Sequence, residues 1–148
     1  MKSSAITYSL SSLLGVVYGW VALNFWELYA TNNLIVAWLL DALVARGYPT
    51  LFQVVVSTHD VIVNVLVAAP FAAVLVALRQ LNHWSFAAIA AASAVIVTNW
   101  GTQWSLVLFA SWGYWFGLGM TLISLPIAFA AIRVLRRVLA REGETSAA

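Results

Sequence analysis

The chain has 148 residues, of which 64% are hydrophobic and only 8% charged. That is room for one domain, with too few charges for water: soluble domains carry about 25% charged residues. The net charge of +2 comes from seven cations, six of which fall on one predicted membrane side, so it reads as a topology signal and not as a nucleic-acid surface. The absence of cysteine excludes disulfides, thiolate metal sites and cysteine nucleophiles.

Taken in chain order, the first apolar stretch runs from Ile6 to Trp26 behind a single cation, Lys2. It is longer than a signal-peptide core and other apolar stretches follow, so an uncleaved first span is expected. Residues 33–46 are apolar but span only ~20 Å as a helix, which is too short to cross. Asn32 and Asn33 offer N-caps, Gly47 suits the C′ position, and Pro49 blocks continuation. A short interfacial or re-entrant helix on the extracytoplasmic side is expected there.

The run from Leu51 to Leu81 exceeds one crossing, and Ser57-Thr58-His59-Asp60 approximates a capping box. The second span is therefore expected to start near Ser57 and occupy about 58–80, with Asp60 at the outer interface. The third is expected over 85–102 and the fourth over 112–133, with residues 105–112 either loop or helix. A basic, amphipathic tail covers 133–148, where Arg133, Arg136, Arg137 and Arg141 suit anionic lipid headgroups. With Arg46 alone on the far side, the positive-inside rule orients both termini to the cytoplasm. The expected fold is an all-α integral membrane protein, a four-transmembrane-helix bundle forming a single domain over 1–148. A prokaryotic inner membrane is the expected location.

Small residues at three- and four-residue spacing allow helices to pack closely in lipid. Ser11, Gly15 and Gly19 form such a seam on the first helix, with Ala87/Ala91 and Ala90/Ala94 on the third and Gly113/Gly117 on the fourth. Seams of this kind serve intramolecular packing more often than oligomer contacts, and they do not name their partner. Pro70 and Pro126 fall inside spans, where each frees a backbone carbonyl.

Gln53, Ser57, Asp60 and Asn64 share one helix face, with His59 about 100° away. With Glu27 nearby, this face would make a polar pocket in the outer half; the plainer account is helix capping and interfacial hydration. Glu27, His59 and Asp60 lack metal-ligand spacing, so no metal and no cofactor is expected. His59 and His83 fall on opposite sides, which excludes a shared haem. Trp26, Trp38, Trp100, Trp104, Trp112 and Trp115, together with Trp20, crowd the outer half, whereas Trp84 alone lies inside. Aromatic belts are usually two-sided, so an aromatic binding rim is expected in addition to a belt. Hydrolase, phosphate-loop, zincin and dinucleotide motifs are all missing.

Function is accordingly expected to be non-catalytic: an accessory or interaction subunit binding a partner membrane protein or lipid through its aromatic outer side. The alternative is a small oligomeric channel or transporter with its path along Gln53, Ser57, Asp60 and Asn64. A membrane enzyme using Glu27, His59 and Asp60 ranks third.

Overall fold

A computed structural model describes residues 2–32, 34–77, 84–100 and 105–145. They are helical with no strand among them: α1 (Lys2–Asn32), α2 (Leu34–Leu39), a π-helical turn (Leu40–Val44), α3 (Pro49–Ala77), α4 (Trp84–Thr98), α5 (Leu106–Ala110) and α6 (Trp112–Thr145). Arg79, His83 and Trp104 lie outside the described residues. Three segments are long and apolar enough to cross a membrane: Ala5–Tyr29, Pro49–Ala77 and Trp112–Ala140. Between 22% and 28% of each span is buried inside the bundle. Leu13, Trp20, Ile62 and Leu66 are among the large apolar side chains that face outward. Such surface needs lipid, and the protein is membrane-embedded.

The connection from α1 to α3 ends as its turn residues dictate. Gly47 adopts φ +86°. Its N–H donates to the Val44 carbonyl at 3.0 Å, and the Tyr48 N–H reaches the Leu43 carbonyl at 2.8 Å. This is a Schellman closure, which a glycine reaches without the steric penalty of a side chain. Pro49 then opens α3 as its first residue. The helix start expected at Ser57 is corrected: α3 is continuous from Pro49, and Ser57 lies in its interior. A proline at the first helical position has a preset φ and lacks only a donor that would be unpaired there anyway, so the earlier start prevails. Asp60 therefore sits roughly 16 Å along the helix instead of at its mouth.

At the other connection, Ser105 caps α5 by accepting from the Leu108 N–H at 3.2 Å. Extended backbone at Ser111 separates α5 from α6. Pro70 and Pro126 both lie inside continuous helices.

Packing does not follow chain order. The most extensive contacts are α1 on α4 and α3 on α6, followed by α4 on α6; α1 touches α3 lightly, and α3 and α4 barely meet. The core is mostly alanine (Ala22, Ala68, Ala72, Ala87, Ala90, Ala94 and Ala128) around Tyr18, Leu75, Leu125 and Phe129. Small side chains let the backbones approach, which is how helices gain contact energy without a hydrophobic drive. A Cβ on Gly15 would run into the Ala90 carbonyl, and one on Gly19 would lie 2.9 Å from the Ala94 oxygen. Ser12 and Ser93 join their hydroxyls across the same interface at 2.9 Å.

The two ends of the bundle are distinct. At one, Tyr8 packs on Phe86 with ring centroids 4.9 Å apart, and Arg136 donates to the Val76 carbonyl at 3.2 Å. At the other, α1 meets α3 through Tyr29 and His59, and α4 meets α6 through Asn99 and Tyr114. Where the sequence leads to a third span over 85–102, α4 is a 15-residue helix of roughly 22 Å, below the length of an independent crossing. It is also the most enclosed helix, with Phe86, Ala87, Ala90, Ala91, Ser93 and Ala94 buried.

Candidate functional site

Around the Tyr29 end the helices part and leave a cavity of about 480 Å³. Its inner wall comes from Ala22, Leu23 and Trp26 of α1 and from Asp60 and Asn64 of α3. Thr98 and Asn99 end α4 at its rim, and Leu108 of α5 reaches over it. The α6 side consists of Gly113, Tyr114, Phe116, Gly117, Leu118, Met120 and Thr121. Gly117 has no atom within 4 Å of where a Cβ would sit, and Gly113 only the Ser111 hydroxyl at 3.7 Å. The two glycines read as a seam in the sequence thus meet no neighbouring helix closely; they make room. Leu23, Gly113 and Gly117 are exposed, so the cavity opens on the flank of the bundle.

Asn64 forms the floor. It is buried (3% exposed), and a buried amide needs partners on both of its heads. Its Oδ1 accepts from Trp26 Nε1 at 3.1 Å, and its Nδ2 donates to Ser124 Oγ at 3.1 Å. Ser124 in turn donates to the Met120 carbonyl at 2.6 Å. One residue therefore ties α3 to α1 and α6. The Ser11 hydroxyl is also buried, with no hydrogen-bond partner among the described residues, and the Tyr18 hydroxyl is buried on the Ser124 side. The alanine core closes the bundle beneath them.

Asp60 lies one turn before Asn64, which places both on the cavity side of α3. Its Oδ1 is 3.1 Å from His59 Nδ1, and His59 Nε2 is 2.8 Å from the Tyr29 hydroxyl. An ionised carboxylate only accepts, so Nδ1 carries a proton towards Asp60, and the Tyr29 hydroxyl is the partner of Nε2. The Tyr29 and His59 rings also stack, with centroids 5.8 Å apart. Phe25 stacks on Tyr29 at 5.2 Å and Trp26 meets it edge-on at 5.5 Å, so an aromatic cluster holds the chain of hydrogen bonds in place.

The other candidate residues divide. Gln53 is exposed and, like Ser57, does not line the cavity, so the polar face of α3 is used only in its Asp60–Asn64 half. Glu27 is exposed on α1, outside the cavity. Among the described residues no three His, Asp or Glu side chains come together to hold a metal. Of the described tryptophans, Trp26 alone lines this cavity. Trp100 and Trp115 line a shallower groove that shares Asn99, Tyr114 and Leu118 with it. Trp38 and Trp112 project outward. The wall between cavity and groove is held by the Tyr114 hydroxyl donating to Asn99 Oδ1 at 3.3 Å.

Sequence reasoning missed the contributions of Tyr114, Phe116 and Thr98. A signal existed for one of them: Tyr114, Gly117 and Thr121 recur at spacings of three and four on a single face of α6. No protein family, curated protein or solved structure matches this chain.

Proposed function

We propose that the protein is a non-catalytic membrane component that holds a lipid or lipid-like amphiphile in its flank cavity and serves as an accessory or interaction subunit. The observation that carries this reading is the cavity itself: about 480 Å³, open sideways, lined by aromatic and aliphatic side chains with a few polar groups. Small-molecule sites have that size and that balance of apolar wall to polar anchor. The exposed Trp100, Trp112 and Trp115 beside it form the approach surface for a partner or for lipid headgroups.

In this reading the bundle crosses the membrane four times with both termini cytoplasmic. Arg133, Arg136 and Arg137 gather where Arg136 meets the end of α3, whereas Arg46 sits in the opposite connection, an asymmetry typical of a cytoplasmic (inner) membrane. Arg133, Arg136 and Arg137 then meet anionic headgroups. α4 runs between the same two ends as its neighbours, and enclosure by α1 and α6 relieves it of covering the hydrocarbon thickness alone. A channel along Asp60 and Asn64 is the alternative. Because the alanine core closes the axis of one chain, such a path would have to run between copies.

Native mass spectrometry of the gently solubilised protein tests the proposal. Retained lipid, amphiphile or a bound membrane partner is expected. A bare monomer that holds none of these overturns it.

A further inference from the structure

Resting on the amphiphile-binding reading, we infer that the cavity selects an ammonium group carried on an aliphatic tail, with Asp60 as its counter-ion. The argument begins with what the wall has left to offer. Each donor-bearing side chain of the wall already makes a hydrogen bond inside the protein: Trp26 on Asn64, Asn64 on Ser124, and Tyr114 on Asn99. The Thr98 and Thr121 hydroxyls and the Asn99 amide donate to carbonyls of their own helices. A phosphate, sulfate or carboxylate arriving here finds neither a spare hydroxyl nor a Lys or Arg among the lining residues.

What remains is an acceptor and a set of π faces. Asp60 is about a quarter exposed, and only His59 among the described residues lies within ion-pair distance of it. His59 Nδ1 lies 3.1 Å from Asp60 Oδ1 and its Nε2 2.8 Å from the Tyr29 hydroxyl, so the ring orients the carboxylate. A carboxylate in an apolar cavity strongly favours a cation beside it. Trp26, Tyr114 and Phe116 line the same cavity, and aromatic faces attract ammonium groups through their quadrupoles. Leu23, Leu118 and Met120 supply the surface for a tail.

Two sources carry this chemistry, an aminophospholipid of the bilayer and a free lipophilic amine. The test uses the full-length protein in dodecyl maltoside, which brings no ammonium of its own. It is titrated with three amphiphiles of one tail and different heads: octyltrimethylammonium, octanol and octyl sulfate. The cation is expected to bind tightest and the sulfate weakest. Asp60→Asn, which keeps an acceptor for His59, is expected to weaken the cation at least tenfold and leave octanol unchanged.

If octanol binds but the cation binds no tighter, or Asp60→Asn leaves the cation affinity intact, the ammonium inference is overturned while the amphiphile site stands. If none of the three binds the folded protein, both readings fall. Gly117→Leu obstructs the cavity from another helix and is expected to abolish octanol and cation binding alike; unchanged affinities would place binding elsewhere and overturn the inference. Mass spectrometry then separates the sources: a co-purified aminophospholipid supports the lipid, and a co-purified free amine the soluble amphiphile.

Discussion

One kind of substitution, glycine to alanine, is expected to change sign between two seams that look alike in the sequence. At Gly15 a new Cβ would lie within 2.7 Å of both the carbonyl carbon and the Cα of Ala90, and closer still to its oxygen. These are backbone atoms of a packed helix and cannot rotate away. α1 and α4 must separate, giving up contacts along their shared face and stretching the 2.9 Å Ser12–Ser93 hydrogen bond. Overpacking of this kind costs about 1–3 kcal/mol, and alanine returns up to about 1 kcal/mol of helix propensity. Gly15→Ala should therefore be destabilised by roughly 1–2 kcal/mol, and by more if the serine pair breaks. Gly117 has nothing within 4 Å, so Gly117→Ala should keep the propensity gain and be stabilised by about 0.5–1 kcal/mol. Equilibrium unfolding of both variants in one detergent, followed by helix content, measures the pair. A Gly15→Ala protein as stable as the parent, or a shift of the same sign in both, refutes the assignment of the first seam to close packing and of the second to the cavity wall.

Three further outcomes are expected. Asn64→Leu leaves the Trp26 N–H without its acceptor and unties α3 from α6; a loss of about 1–2 kcal/mol in the same unfolding assay is expected, and parental stability would show the network to be idle. A double-mutant cycle on Ser12→Ala and Ser93→Ala should return a coupling of about 0.6 kcal/mol, typical of hydrogen bonds between membrane helices. Zero coupling would leave the interface held by van der Waals contact alone. Gly47→Ala meets no atom within 4 Å, so any effect comes from its φ of +86°. About 1 kcal/mol of local destabilisation is expected, read as faster amide exchange across residues 40–48, and unaltered exchange would count against a glycine-dependent turn.

Much of the local structure was legible. The Gly47–Pro49 turn could be placed because each residue does something there that few others can: one takes a positive φ, the other begins a helix without a donor. The Ser57 capping box misled for a related reason. A side-chain cap is one of several ways to begin a helix, and it yields when the backbone upstream is already helical. The shared face of Asp60 and Asn64 was also legible, because helical period alone sets it. Gln53 and Ser57 belong to that face as well but do not line the cavity, and nothing in their spacing says so.

By itself the sequence determined that the chain is helical and membrane-embedded, where its turns fall, and which helix faces are small enough for close approach. Those properties depend on composition, on the 3.6-residue period and on single-residue backbone preferences, all of which act within one segment. Only the tertiary structure decided that Gly15 and Gly19 press on Ala90 and Ala94 while Gly113 and Gly117 border a cavity, and that Asp60 turns towards Trp26 and Tyr114. A stripe of small residues permits contact without naming a partner. Pairing is settled by how four helices of unequal length share one bundle.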